Sequence, residues 1–125
     1  MIEEFQIGAN GQLTQIGMVT AGSYPRTIIF DRNGKYVYVT NVHDDSISEY
    51  AIGSGGALTL IGTVGAGGTT PAAITLDATG QFAYVTLRDS NSVAEFSVGS
   101  DGTLTLLGTI ATGSGTAPSG IATIH

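Results

Sequence analysis

The chain has 125 residues, enough for one domain with a modest core and too few for two ordinary ones. Ten acidic residues against four basic ones give a net charge of −6, and Arg26, Arg32, Lys35 and Arg88 form no basic stripe, which argues against nucleic acid as a partner. The sequence has no cysteine, so disulfides and thiolate metal sites are excluded, and no apolar run approaches the length of a membrane span.

The chain opens on Met1-Ile2-Glu3-Glu4, a strand-like pattern with no basic n-region and no apolar h-region. No signal peptide is expected, and the compartment stays open. "EEFQIG" from Glu3 returns as "SEYAIG" from Ser48 and "AEFSVG" from Ala94, at steps of 45 and 46 residues. "LTQIGMV" from Leu13 returns as "LTLIGTV" from Leu58 and "LTLLGTI" from Leu104, and Pro25, Pro71 and Pro118 follow at steps of 46 and 47. A period in the mid-forties is the size of a four-stranded propeller blade.

Each unit resolves into four short apolar runs between turn signals. In the first complete unit these are Arg26–Asp31, Lys35–Asn41, Ser46–Ile52 and Leu58–Val64. Tyr36 and Tyr38 alternate with Val37 and Val39, the period-2 pattern of a strand packed on both faces. Asn10-Gly11, Asn33-Gly34, Thr79-Gly80 and Asp101-Gly102 fall where a tight hairpin needs positive φ. No stretch has a helical period. The chain reads as all-β. Residues 1–22 supply the two outer strands of a partial blade, 23–66 and 67–112 each supply a blade, and 113–125 supplies a lone innermost strand. That last segment, "APSGIATIH", carries Ile124 where Asp31 and Asp77 open the earlier hairpins.

"YVYVTN" at Tyr36–Asn41, the preceding "DRNGK", the proline that opens the innermost strand and the "SISEYAIG" continuation resemble the YVTN-type β-propeller repeat. That repeat is shared by seven-bladed lactonases similar to bacterial 6-phosphogluconolactonase and by surface-layer propeller proteins. The resemblance covers essentially the whole chain. It implies an all-β propeller fragment of about 2.7 four-stranded antiparallel blades, similar to the C-terminal part of a longer propeller.

Propellers close with roughly four to eight blades, so an arc leaves two blade faces uncovered. With about five large apolar side chains on each, a face represents on the order of 10 kcal/mol. That is comparable to the whole stability of a domain. Ring closure by homo-oligomerisation is the expected remedy, with a dimer favoured.

The loops leading into the innermost strands, and those joining the second and third strands, emerge around one channel mouth. They collect Tyr24, Arg26, His43, Asp44 and Asp45 from the first unit, with Arg88, Asp89 and Asn91 from the second. The ligand-binding candidates are Tyr24, Arg26, His43, Arg88 and Asp89. If the lactonase resemblance extends to activity, Arg26 and Arg88 grip an acidic substrate, His43 is the base and Asp44 orients it. Against this, "HDDS" and "RDSNS" are also ordinary turn sequences, because Asp, Asn and Ser bond their own backbones. The lactonase pattern moreover continues with His where Thr27 stands. A scaffold or binding module with no enzymatic turnover is therefore the primary expectation, and a lactone hydrolase the alternative. No cofactor is called for, since "GAGG" and "GSGTAPSG" lack a phosphate-binding lysine and precede no helix. No metal is expected, because Asp44-Asp45 falls short of a calcium ligand set.

Overall fold

The computed structural model describes residues 1–124. Ten strands follow in chain order: β1 (Ile2–Ile7), β2 (Leu13–Val19), β3 (Pro25–Phe30), β4 (Tyr36–Asn41), β5 (Ser46–Ile52), β6 (Leu58–Gly65), β7 (Pro71–Leu76), β8 (Phe82–Leu87), β9 (Ser92–Val98) and β10 (Leu104–Ala111). The only helical segment among the described residues is a single 3-10 turn at Ser54–Gly56. No helix among the described residues is long and apolar enough to cross a membrane.

The strands form three antiparallel sheets: β1-β2, then β3-β4-β5-β6, then β7-β8-β9-β10. Each four-stranded sheet is a meander, the topology that short hairpin loops impose on consecutive strands. The turn glycines behave as the sequence demands, with Gly11, Gly34, Gly80 and Gly102 at φ of 81°, 66°, 73° and 83°. The aspartates before them also contribute. Asp31 accepts from the Lys35 and Tyr36 N–H groups, and Asp77 accepts from Phe82 N–H, which closes the hairpins between innermost and second strands.

The core lies between sheets. Tyr38 and Ile47 of one blade meet Ile74, Ala83, Val85, Leu87, Ala94, Phe96 and Leu104 of the next, with Ala66 beside them. A smaller cluster of Val37, Val39 and Tyr50 is covered on its far side by Ile2 and Val19 of the partial blade. Matched positions therefore repeat a single interface twice, and full burial of each large apolar side chain is worth about 1.5–3 kcal/mol. Where the interface stops, apolar surface is bare. Phe5, Ile7 and Leu13 on the first sheet are 45%, 72% and 63% exposed. Ile28 and Phe30 are exposed because the partial blade brings only two strands. A groove of about 340 Å³ lined by Ile2, Phe5, Ile16, Ile28, Phe30 and Leu58, among others, marks that gap.

The segment 113–125, read as a lone innermost strand, pairs with no other strand over residues 113–124, and His125 lies outside the described residues. A strand ladder needs a neighbour, and none of the ten strands pairs with this segment. It is nonetheless tethered beside β7, where Thr123 Oγ1 donates to the Leu76 carbonyl at 2.7 Å.

Candidate channel-mouth site

The turns between β4 and β5 and between β8 and β9 lie at the same end of the sheets as the links that enter β3 and β7. Each link ends on a non-glycine residue in the left-handed region, Tyr24 at φ 56° and Thr70 at φ 58°. That conformation turns the carbonyls of both residues toward the neighbouring turn. The Tyr24 carbonyl accepts from Val42 N–H and the Thr70 carbonyl from Arg88 N–H, both at 3.0 Å.

Side chains of the turns then fasten the links. Asp44 Oδ2 accepts from Ser23 N–H at 2.5 Å, and Ser90 Oγ, one repeat later, accepts from Thr69 N–H at 2.8 Å. Asp45 Oδ1 reaches into the next blade to accept from Thr70 N–H at 2.8 Å. Its repeat counterpart Asn91 does the same to Ala117 N–H at 3.0 Å. Thr70 is a hub, because its hydroxyl also donates to Asp89 Oδ2 at 2.6 Å. The polar turn residues thus hold the frame, as Asx-type chemistry permits.

Of the sequence-derived candidates, the structure brings Tyr24 and His43 together. Their rings stack with centroids 4.7 Å apart and planes 21° off parallel. Asp44 sits next to His43 in sequence but spends its carboxylate on the Ser23 backbone, so its geometry is that of a loop clasp. Asp89 is engaged by Thr70. Arg26, at the start of β3, and Arg88 are exposed. The Asp45–Thr70–Asp89 chain joins the two turns, so the exposed Tyr24, His43 and Arg88 belong to one continuous rim. No cluster of three or more His, Asp or Glu side chains with the placement of a metal site occurs among the described residues. Two grooves of about 540 Å³ lie instead at the opposite end of the strands, around Arg32 and Asp77 and around Lys35 and Gln81.

Sequence reasoning missed a second set of polar residues. Glu4 and Glu49 occupy matched positions on β1 and β5, opposite Gly17 and Gly62. Each carboxylate lies over its glycine, where a Cβ would stand 2.7 Å from Glu4 Oε2 and 2.9 Å from Glu49 Oε2. Each then accepts from the first N–H of the outer strand in the next blade. Glu4 Oε1 takes Leu58 N–H and Glu49 Oε1 takes Leu104 N–H, both at 2.8 Å. Burial raises the Glu49 pKa, opposed in part by the Leu104 bond. The signal was present in the repeats, as the Glu of "EEF", "SEY" and "AEF" and the Gly of "LTQIG", "LTLIG" and "LTLLG".

Comparison with known proteins agrees with this architecture. The family model described as "Lactonase, 7-bladed beta-propeller" matches residues 1–68 and 32–117. A Bacteroides fragilis protein assigned as a 6-phosphogluconolactonase is similar in structure, with 29% identity, a TM-score of 0.77, and coverage of 91% of this chain and 36% of its own. The Pseudomonas aeruginosa periplasmic gluconolactonase superposes with a TM-score of 0.79 at 21% identity, covering 90% of this chain and 34% of its own. A Lactobacillus plantarum protein does so with a TM-score of 0.79 at 24% identity, covering 88% and 35%. The latter two likenesses speak to the fold alone. Comparison with curated proteins returns no match. The chain spans about a third of the length of these structures. Its sequence matches the family model over most of its length and its blades have the same form, and the chain belongs to the seven-bladed β-propeller lactonase family.

Proposed function

We propose that the chain is a blade-supplying module that works within a propeller ring, where its channel-mouth rim binds a small anionic ligand. The observation that carries this reading is the division of labour at the rim. Asp44, Asp45 and Asp89 are bonded to the links, whereas Arg26, Arg88 and the Tyr24–His43 stack are exposed to solvent. Two guanidinium groups and an aromatic face suit a carboxylate or phosphate on a polar, ring-shaped molecule. A sugar acid is the class that fits, and the relative named for phosphogluconolactone chemistry supports the choice.

A second reading, lactone hydrolysis, draws on family membership and on His43. In that reading an exposed imidazole held flat against Tyr24 activates water, and Arg26 polarises the lactone carbonyl.

The test is titration calorimetry with gluconate and 6-phosphogluconate, alongside pH-stat assay with the two matching lactones. Binding that drops at least tenfold in Arg26→Ala and in Arg88→Ala, with no turnover above the solvent rate, supports the binding module. Turnover that disappears in both Arg26→Ala and His43→Ala, with folding intact, replaces it with the hydrolase. Failure to bind either acid at millimolar concentration removes the rim from consideration.

A further inference from the structure

The glutamate latch occurs three times in the sequence and is closed only twice among the described residues. Glu95 stands opposite Gly108 on β9 and β10, as Glu4 stands opposite Gly17 and Glu49 opposite Gly62. A Cβ at Gly108 would meet nothing within 4 Å, so the Glu95 carboxylate does not lie over its glycine as its two counterparts do. The Glu–Gly pair is in place, and no donor from a neighbouring blade draws its carboxylate into the latch.

The missing donor can be identified from the same repeat. Glu4 and Glu49 take the N–H of Leu58 and Leu104, the first residues of β6 and β10. The first residue of β2 is Leu13, and it receives no carboxylate among the described residues. Tyr84 repeats the pattern. Its counterpart Tyr38 donates through Oη to the Gly102 carbonyl at 2.7 Å, and Gly102 corresponds to Gly11 at the turn before β2. Around these polar groups the apolar residues also match. Phe5, Ile7 and Leu13 occupy the positions of Phe96, Val98 and Leu104, which are packed in the core of the interface between the two complete blades. On the opposite open face, Phe82 and Tyr84 stand where Tyr36 and Tyr38 stand in that interface.

We infer that a second copy of this chain docks head to tail, with the β9-side face of one copy receiving the β1-β2 sheet of the other. Glu95 of one copy accepts from Leu13 N–H of its partner, and Tyr84 Oη donates to the Gly11 carbonyl. The contact is heterologous, since two different surfaces meet, and it is made twice when two copies close on each other. Docking also carries the segment 118–124 of one copy, already tethered along β7 through Thr123, over the bare Ile28 and Phe30 of the other. The inference rests on the reading that the chain works within a ring, and names the partner that completes it.

The experiment is absolute mass by light scattering after size exclusion, on the 125-residue chain at about 100 µM, a concentration suited to moderate affinity. Wild type is expected at twice the 12.7 kDa chain mass. Leu13→Asp sets a carboxylate against Glu95, and Glu95→Lys removes the acceptor. Each alone is expected at the monomer mass with an unchanged far-UV spectrum, because both sites are solvent-accessible in the single chain. Mixed in equal amounts, they are expected to restore a dimer, since one intact contact survives between an unaltered Glu95 face and an unaltered Leu13 face. That rescue also shows that both variants are folded, and a self-paired patch would not give it. A wild-type monomer, a dimer that persists in both variants, or two monomeric variants that fail to rescue each other overturns the inference. A wild-type monomer that still binds sugar acid at the rim overturns self-docking alone and leaves the proposed function standing.

Discussion

Replacing Tyr38 with Phe isolates one hydrogen bond in the centre of the inter-blade core. The Tyr38 ring is fully buried, and its hydroxyl donates to the Gly102 carbonyl at 2.7 Å in a buried setting. Phe keeps the ring packing and deletes only the donor, leaving the carbonyl without its partner. A neutral hydrogen bond contributes about 0.5–1.5 kcal/mol net, and an orphaned buried acceptor costs about 1–3 kcal/mol, so a loss of about 1–2 kcal/mol is expected. For a chain of this size that lowers Tm by about 4–8 °C. Burial, reinforced by Asp31 and Glu49, pushes the phenol far above its ordinary range. The donor therefore stays protonated, and the loss is the same from about pH 5 to pH 9. Urea unfolding followed by circular dichroism measures it, with an unchanged m-value as the sign that only stability has moved. Tyr84→Phe, at the same repeat position on the open face, is the internal control. At concentrations low enough to keep the chain monomeric it costs less than about 0.5 kcal/mol. If Tyr38→Phe is also neutral, water reaches Gly102, and the tight packing assigned to the two complete blades is refuted.

Three further outcomes follow from the same packing. Phe96→Ala empties a fully buried ring site between the complete blades and costs about 3–5 kcal/mol, read from the urea midpoint. Gly62→Ala places a methyl 2.9 Å from the Glu49 carboxylate and unseats it from Leu104 N–H, a loss of about 1–3 kcal/mol. Gly108→Ala, with open space around it, changes the stability of the monomer by less than about 0.5 kcal/mol and weakens self-association instead. The pH dependence of unfolding has two limbs with different owners. Glu49, with its pKa raised by burial, contributes stability that is complete below its ordinary value of 4.5 and is lost as pH rises through the elevated folded value. Glu49→Gln keeps an oxygen for Leu104 N–H and abolishes that decline. Asp77 and Asp101, lowered by bonds from Thr79 and Thr103, contribute above 3.8 and lose that contribution as pH falls through their depressed values. Asp77→Asn flattens that acid limb in a pH series of thermal melts.

Much of the fold was legible because repetition and turn chemistry are local signals. Ser46–Ile52 is predicted and observed over the same residues, and the hairpin glycines adopt the positive φ that their positions require. The roles of the polar residues were harder to read. Asp44 beside His43 suggests a base and its orienting partner, yet the carboxylate turns to Ser23, a residue 21 positions away in sequence. Glu49 is a carboxylate, a side chain usually left to solvent, in the strand SISEYAI, yet it is only 3% exposed. Its partner Leu104 is 55 residues on, and nothing in either segment alone announces the contact. The last segment shows the complementary limit. "PSGIA" has the residues of an innermost strand, but a ladder is decided by a neighbour, and none of the ten strands pairs with it.

The latches also bear on how the arc holds together. A repeat array is stabilised by each unit and by each contact between neighbours, and a terminal unit lacks one of its contacts. Here every inter-blade contact combines an apolar layer with directional bonds, Glu4 to Leu58 on one side and Glu49 to Leu104, Asp45 to Thr70 and Tyr38 to Gly102 on the other. The apolar layer alone is permissive, since any greasy sheet covers it. A carboxylate aimed at one backbone N–H is selective, because a sheet docked a residue out of register leaves it buried and unpaired, at a cost of about 1–3 kcal/mol or more for a charged group. By the same logic Glu95 is the selective element of the open face. In the proposed self-docking it selects a sheet that presents a free strand-opening N–H at the position of Leu13 over one that brings only apolar surface.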